Sequence, residues 1–312
     1  LLGSHRLDEI RRQVSSWMRD ASLAFASGNG AAGLQFYHDA GEIAVHRDRS
    51  MTLEASVAAY LDASIPVDPA WTTKALARQL LITIRNEDVH ELNRLVRLAL
   101  IERGHLGPEA ITIEARGRGS EKHPRELELR VGDRVTFGRR LRLAPADIFN
   151  SDVATILSVD DGSDPHLTFE LDRLDANGRP IVMATRASAL AVKDAEGGSS
   201  SIHMQHAYAC TNYAAQGQTV DRAVVVNLSP MRSSDIYVAC TRHRTSLSLH
   251  VDASRILPRG GSNAAGISRR GGFRGADEHG EQTARPLSHQ DMARVIARIR
   301  QEADSQILKV NP

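Results

Sequence analysis

The sequence predicts an α/β protein: a parallel sheet with flanking helices, interrupted by a small antiparallel β insertion and followed by a flexible tail with a terminal helix. Three observations carry that expectation. Short apolar runs rich in β-branched residues ("LLITI" at 80–84, "AVVVNL" at 223–228) alternate with stretches of helical spacing. That alternation is the mark of parallel strands joined by crossover helices. Between about Glu126 and Val192 the texture changes to alternating strands broken by Gly132-Asp133, Asp161-Gly162 and Asn177-Gly178 turns, the signature of hairpins. From Ser254 to Pro286 the chain turns to Gly, Arg and Ser ("PRGGSNAAGISRRGGFRG"), a composition with too little apolar surface to order itself.

Taken in order, Leu7, Ile10, Val14, Trp17, Ala21 and Phe25 recur three or four apart and predict an amphipathic helix over Leu7–Phe25, stopped by "SGNG". Helices are expected over Ala31–Ala40 and Leu53–Asp62, with Pro66 and Pro69 breaking the chain beyond. The run at 80–84 reads as a strand, Asn86 as an N-cap, and Val89, Leu92, Leu95, Val96 and Ala99 as a helix face ending at Gly104. After the hairpins, "HAYACT", "AVVVNL" and "SLSLHV" resume the strand pattern, separated by segments of helical character. A last helix starts at Ser288, with Asp291 completing an S-x-x-D box and Met292, Val295, Ile296 and Ile299 on one face.

Composition narrows the function classes. At 312 residues with 41% apolar content the chain can bury a large core. A net charge of +1 means that affinity for nucleic acid has to come from local patches. Only four of the 39 Lys and Arg residues are lysines, a skew that genomic base composition alone can produce. Two cysteines, Cys210 and Cys240, are too few for a disulfide framework, which makes a cytoplasmic protein with buried, inert thiols the expectation. No run approaches the ~18 apolar residues of a membrane span, and no membrane partner is expected. The chain opens on Leu1 rather than Met, straight into a helical pattern, so a piece of a longer protein is expected.

The chemistry concentrates in "YACTNYAAQGQTVD" (208–221) and "DIYVACTRHR" (235–244). Each runs from an aromatic through small residues and Cys to Thr and polar groups, and each precedes a strand. Parallel strands would set Thr211, Gln216, Gly217 and Arg242 near element ends beside the sheet, where α/β proteins keep ligands. A phosphate needs N–H donors and a fixed cation, and Gly lets backbone approach it closely. Bland alternatives stand beside each residue: Arg242 as a salt-bridge arginine, Arg12 as one of a solvated pair with Arg11, Gly217 as a left-handed helix terminus, Tyr213 as core packing, and His203 and His206 as polar groups flanking a strand.

Five segments in order resemble superfamily 1 helicases of the RecD-like branch, most of all the helicase part of conjugative relaxases of the TraA type. "RRQVSSWMRDASLAFASGNGAAGLQFYHDAGEI" resembles the family's motif IV region, with Arg12 and Gln13 at its Arg-Gln positions; "LLITIRNEDVHELNRLVR" is similar to its D-V-x-x-L-N signature (Asp88, Val89, Leu92, Asn93). "VGDRVTFGRRLRL" with "DIFNSDVATILSVD" resembles its SH3-like insertion, the usual Asn-Gly-Asp standing here as Asn150-Ser151-Asp152. "YACTNYAAQGQTVDRAVVV" resembles motif V and "YVACTRHRTSLSLHV" motif VI.

The resemblance implies a second RecA-like domain that meets ATP and Mg2+ jointly with an N-terminal RecA-like domain outside this chain. Arg242 and Arg12 would reach the γ-phosphate, Gln216 and Gly217 would couple the nucleotide to the DNA track, and Thr211, Asn212, Tyr213 and Thr219 would contact single-stranded DNA. Family members often carry His-Lys where this chain has Tyr213-Ala214, which removes one phosphate contact and offers a ring for base stacking, worth roughly 1 to 3 kcal/mol where it forms. It also implies the division 1–124 (first part of the RecA-like domain), 125–196 (SH3-like insertion), 197–253 (its remainder), 254–286 (flexible linker) and 287–306 (terminal helix). Conjugation machinery is an implied partner. No lysine follows a glycine, so the phosphate loop G-x-x-x-x-G-K-[ST] is missing, and neither Asp8-Glu9 nor Asp277-Glu278 ends an apolar strand. The chain alone is therefore expected to be inactive as an ATPase. No metal-ligand cluster is expected either, since the "IHMQH" spacing lacks the tight histidine grouping of a relaxase nuclease site. A different class, a non-catalytic DNA-binding or interaction module, fits the same missing loop.

Overall fold

A computed structural model describes residues 10–62, 74–117, 124–193, 200–227, 231–257 and 287–305. The most hydrophobic strand explains the architecture. In β12 (Val220–Val226) the apolar run is continuous because both faces are covered: Ala223 and Val225 enter one core, Val224 and Val226 the other. Around it lie β1 (Ile43–His46), β2 (Gln79–Thr83), β11 (Ala209–Thr211) and β13 (His243–Asp252), in the order β1-β13-β12-β2-β11. Every pairing is parallel. Helices α1 (Ser16–Ala26), α2 (Gly30–Asp39), α5 (Ser233–Cys240) and α6 (His289–Ser305) bury Phe25, Leu34, Ile236, Val295 and Ile299 on the first face. Helices α3 (Arg49–Tyr60) and α4 (Asn86–Glu102) bury Leu53, Tyr60, Val89, Leu92 and Val96 on the second.

Between α4 and β11 the chain leaves this sheet and builds another. The second sheet has eight strands: β3 (Ala110–Arg116), β4 (Arg125–Arg130), β5 (Arg134–Phe137), β6 (Val153–Asp160), β7 (His166–Leu174), β8 (Pro180–Arg186), β9 (Ala191–Lys193) and β10 (Ser200–His206). Leu129, Phe137, Ile156, Phe169, Leu171 and Met183 fill its core. The three expected turns fall between β4 and β5, β6 and β7, and β7 and β8, with Gly132 and Gly178 at positive φ.

Several expectations need correction. The first helix starts at Ser16, not Leu7: residues 10–15 are non-helical, and their apolar spacing serves a different end, a strap laid along β13 through the Val14 N–H to the Arg244 carbonyl (2.9 Å). Residues 1–9 lie outside those described. Strand β1 was not expected, its four residues being too short to register against neighbouring helices. Asn86 is the first helical residue rather than the cap, which is Arg85. The second sheet is mixed, because β3 and β10 pair in parallel, and it begins at Ala110 and ends at His206, wider on both sides than 125–196. The segment 212–217 is a series of turns, not a helix. Ordered structure also continues past 253. Ala253–Arg255 is a single 3-10 turn, Ile256 and Leu257 pack on the first core, and Arg255 is ion-paired to Asp252 (3.1 Å) and Asp88 (3.5 Å). The rest of the expected linker, 258–286, lies outside the described residues. The last helix keeps its Ser288–Asp291 box, the Asp291 N–H meeting Ser288 Oγ at 3.1 Å, and docks on α2 instead of hanging free.

Candidate functional site

Helix α5 descends from the carboxyl end of β12 to the amino end of β13, so its last turn delivers Thr241 and Arg242 beside Val220, whose N–H binds the Arg242 carbonyl at 3.1 Å. The strap of residues 10–15 arrives at the same place. Gln13, buried, donates through Nε2 to the carbonyls of Thr241 (3.3 Å) and His243 (3.1 Å), and the Arg12 guanidinium reaches the Thr241 carbonyl as well. Two arginines 230 positions apart are thereby brought together on one residue. Arg242 is 7% exposed, its Nε on the Val238 carbonyl and its Nη2 on Thr241 Oγ1, each at 2.8 Å. Burial and then the nearby Arg12 charge push its pKa down from the usual arginine value. Among the described residues neither Arg12 nor Arg242 is paired with a carboxylate. A guanidinium pair without a counter-ion is an anion receptor in charge and in donor geometry.

Behind them, Tyr37 Oη lies 3.2 Å from His243 Nε2, and burial with the Arg12 charge holds the His243 imidazole down to about 4. His243 is therefore neutral at pH 7, which spares this cluster a third positive charge.

The other expected residues lie on the loop from Thr211 to Val220. Thr211 ends β11 opposite Thr83, and its hydroxyl accepts the Ala214 N–H (3.2 Å). Asn212 and Ala215 point inward: Asn212 Nδ2 meets Asp235 Oδ1 (3.3 Å) in the first turn of α5, and Ala215 is fully buried. Gln216, Gly217 and Thr219 are exposed, and Tyr213 is 82% exposed, which overturns core packing as its role. Gly217 has φ +79°, a left-handed turn position rather than a helix terminus. The loop spans from the carboxyl end of β11, where Thr211 and Tyr213 stand, to the amino end of β12, beside which Arg242 and Arg12 stand. Sequence reasoning set all of these at one edge of the sheet; the structure corrects this, placing Thr211 at the carboxyl end and Arg242 at the amino end, because the loop runs back along the length of the parallel strands.

His203 and His206 lie within β10, and His206 Nε2 is bound to the Glu128 carbonyl at 3.0 Å. Cys240 is buried with its thiol pKa raised, while Cys210 is half-buried. Residues that sequence reasoning left without a role are Gln13, Asn93, Asp133 and Tyr208, all buried. Gln13 and Asn93 sit inside the quoted motifs and Asp133 in a flagged turn, so the signal was present but not its geometry. A groove of about 540 Å3 opens between α4 and the second sheet, lined by Arg94, Arg97 and Arg125 against Glu87, Glu91 and Glu126. Its charges are mixed, and none of the residues around Arg242 contributes to it. Among the described residues no helix is long and apolar enough to cross a membrane.

Fold and site together define an α/β protein whose parallel sheet carries a mixed β-sheet between α4 and β11, with an arginine pair that meets no carboxylate among the described residues at the amino ends of its central strands. The homologues of this chain are TraA conjugal transfer proteins. The conjugal transfer protein TraA of Agrobacterium fabrum is 28% identical over 267 residues, covering 83% of this chain and 20% of the relative. That of Rhizobium radiobacter is 28% identical over 276 residues, covering 86% and 21%. The chain thus spans about a fifth of the length of the curated relatives it matches. No protein-family model matches it. Among solved structures, Pif1 helicase from Candida albicans aligns with a TM-score of 0.49 at 12% identity over 78% of this chain and 55% of that one. Bacteroides Pif1 bound to single-stranded DNA aligns at 0.45 and 17%, over 80% and 53%.

Proposed function

We propose that this chain is the C-terminal RecA-like part of an ATP-dependent DNA helicase or translocase within a conjugative relaxase. Arg242 and Arg12 contact the γ-phosphate of ATP, and the Thr211–Thr219 loop grips single-stranded DNA. One observation carries the reading: two guanidiniums from distant parts of the chain meet at Thr241, with no carboxylate among the described residues between them. Keeping like charges together is costly unless an anion arrives to separate and neutralise them. The terminal phosphate of a nucleoside triphosphate suits the pair in charge and size. The chain has no lysine after a glycine, so the β-phosphate and Mg2+ fall to an N-terminal domain of the longer protein.

When bound, ATP with Mg2+ supplies the phosphoryl group whose transfer releases free energy. This chain's own part is electrostatic. Arg242 and Arg12 stabilise charge on the phosphoryl oxygens, and Gln13 and the Tyr37–His243 contact hold the backbone that presents them. Gln216 and Gly217 lie between that cluster and Tyr213, and relay cleft closure to the DNA contacts of Thr211, Asn212, Tyr213 and Thr219. Asn212 is buried on Asp235, so its DNA contact requires that bond to open.

In the full-length protein, Arg242→Ala should lower DNA-stimulated ATPase by about 10³-fold or more while leaving single-stranded DNA affinity within a few fold. Retention of ATPase by that variant refutes the assignment. A second reading is favoured by one feature: Arg242 already caps its own helix through Val238 and Thr241. In that reading the chain is a non-catalytic DNA-binding module and the arginine is structural, so Arg242→Ala lowers the melting temperature and DNA binding without a distinct loss of turnover.

A further inference from the structure

Asp133, in the turn between β4 and β5, is wholly buried, and its carboxylate is the meeting point of both sheets. It accepts Arg97 Nε from α4 at 3.1 Å on each oxygen, the Arg130 N–H at 2.8 Å and the Tyr208 hydroxyl at 2.7 Å. Arg97 continues to Glu128 (2.8 Å), which also takes Arg130 Nε (2.9 Å). Tyr208 is one of only two residues between β10 of the second sheet and β11 of the first. One turn before Arg97 on α4, Asn93 Oδ1 accepts the N–H groups of Tyr208 and Ala209, each at 2.9 Å. So α4 grips the second sheet with Arg97 and the first residues of β11 with Asn93, and Tyr208 closes the circuit between them.

Stability alone is a poor reason for this design. A buried ion pair is often matched or exceeded in stability by packed apolar residues, whereas a fully satisfied polar network fixes one geometry. What it fixes here is β11, a strand of three residues that among the described residues stands at the sheet's edge and pairs only with β2. Thr211, Asn212 and Tyr213 follow at once.

We propose that Asp133, acting through Tyr208, is a positioning residue: it locks the second sheet to the loop that carries Tyr213, so that the two move as one body. The proposal rests on the helicase reading for its consequence, in that the second sheet travels with the DNA-gripping loop during each cycle, but not for the lock itself. Tyr208→Phe removes the O–H···O bond to Asp133 and the longer Arg134 N–H contact (3.4 Å) on the same hydroxyl, and keeps the ring.

Two readouts on the full-length protein test it. Amide hydrogen exchange should rise at least about fivefold in 209–213 and in 130–134 together. DNA-stimulated ATPase should stay within about twofold of wild type while strand separation per ATP falls at least fivefold. Exchange that rises in only one segment, or in neither, overturns the lock. Loss of ATPase and strand separation in parallel with melting temperature marks a merely structural residue and also overturns it. If the wild-type protein neither hydrolyses ATP nor separates strands, the helicase reading fails, and the paired exchange still decides the lock. Should Tyr208→Phe be insoluble, Asp133→Asn, close in volume, faces the same two readouts with the same criteria.

Discussion

At Ser151 the backbone asks for a residue that the sequence does not supply. Its φ is +77°, in the left-handed region, and its N–H is held by the Phe137 carbonyl at 2.9 Å. A non-glycine residue there costs roughly 1–2 kcal/mol, and the resembled family carries glycine at this position of its Asn-Gly-Asp. The Ser151 side chain is exposed, so nothing is lost with it. Ser151→Gly should therefore stabilise the protein by about 0.5–1 kcal/mol, after the greater freedom of glycine in the unfolded chain is subtracted. A melting temperature higher by about 1–4 °C is the expected result. The same scale shows where sequence reading reached its limit. Arg242 and Arg12 were legible as cations in motif-like strings, but that both meet at Thr241 was not, because a contact across 229 positions leaves no local spacing. For Tyr213 the structure removes only the bland alternative of core packing. An aromatic among small residues resembles a core position, and only the neighbouring turns turn it outward.

At the scale of elements, periodicity located helices well and their ends poorly. The apolar spacing from Leu7 to Phe25 is continuous, yet the helix begins only at Ser16, since hydrogen bonds from Gln13 and Val14 to β13 hold residues 10–15 out of helical form. The docking of α6 was also invisible, for its partner face lies on α2, some 270 residues away. A glycine makes that docking feasible. A Cβ on Gly30 would stand 2.8 Å from the Ala303 Cβ and 3.0 Å from its carbonyl oxygen. Asp304 of α6 in turn accepts the Ala31 N–H at 2.9 Å, supplementing the Asn29 cap of α2 (3.1 Å to the Ala32 N–H). Gly30→Ala should push α6 away at a cost of about 1–3 kcal/mol. Limited trypsin digestion would then cut at Arg298 and Arg300 faster than in wild type, whereas unchanged protection at these sites would show that the helices absorb the methyl by a small shift.

For the molecule as a whole, β13 carries a buried histidine near each end, and both are held down to about 4. His243 is lowered by burial and Arg12. His250 is lowered by burial and by His46, whose Nε2 lies 3.0 Å from its Nδ1. A base whose folded pKa is depressed contributes its full stability above the unfolded value of about 6.5, and that stability is lost as pH falls toward the folded value. Between pH 6.5 and 5 each imidazole should cost up to about 2 kcal/mol. Thermal melts from pH 7.5 to 5 should therefore fall steeply, and His250→Asn should flatten the slope relative to wild type. A pH-independent melting temperature in this window would contradict the neutral buried pair.

The amino-acid sequence by itself determined the α/β class, the parallel strands, the hairpin turns and the segments rich in polar chemistry. Those features follow from local periodicity and turn residues, which each short stretch encodes alone. Only the tertiary structure decided that the second sheet is mixed, that Arg12 joins Arg242, that Asp133 ties two sheets together and that Tyr213 faces outward. Each of these depends on which distant backbone comes to lie alongside. Packing of the whole chain sets that adjacency, and no single window of residues contains it.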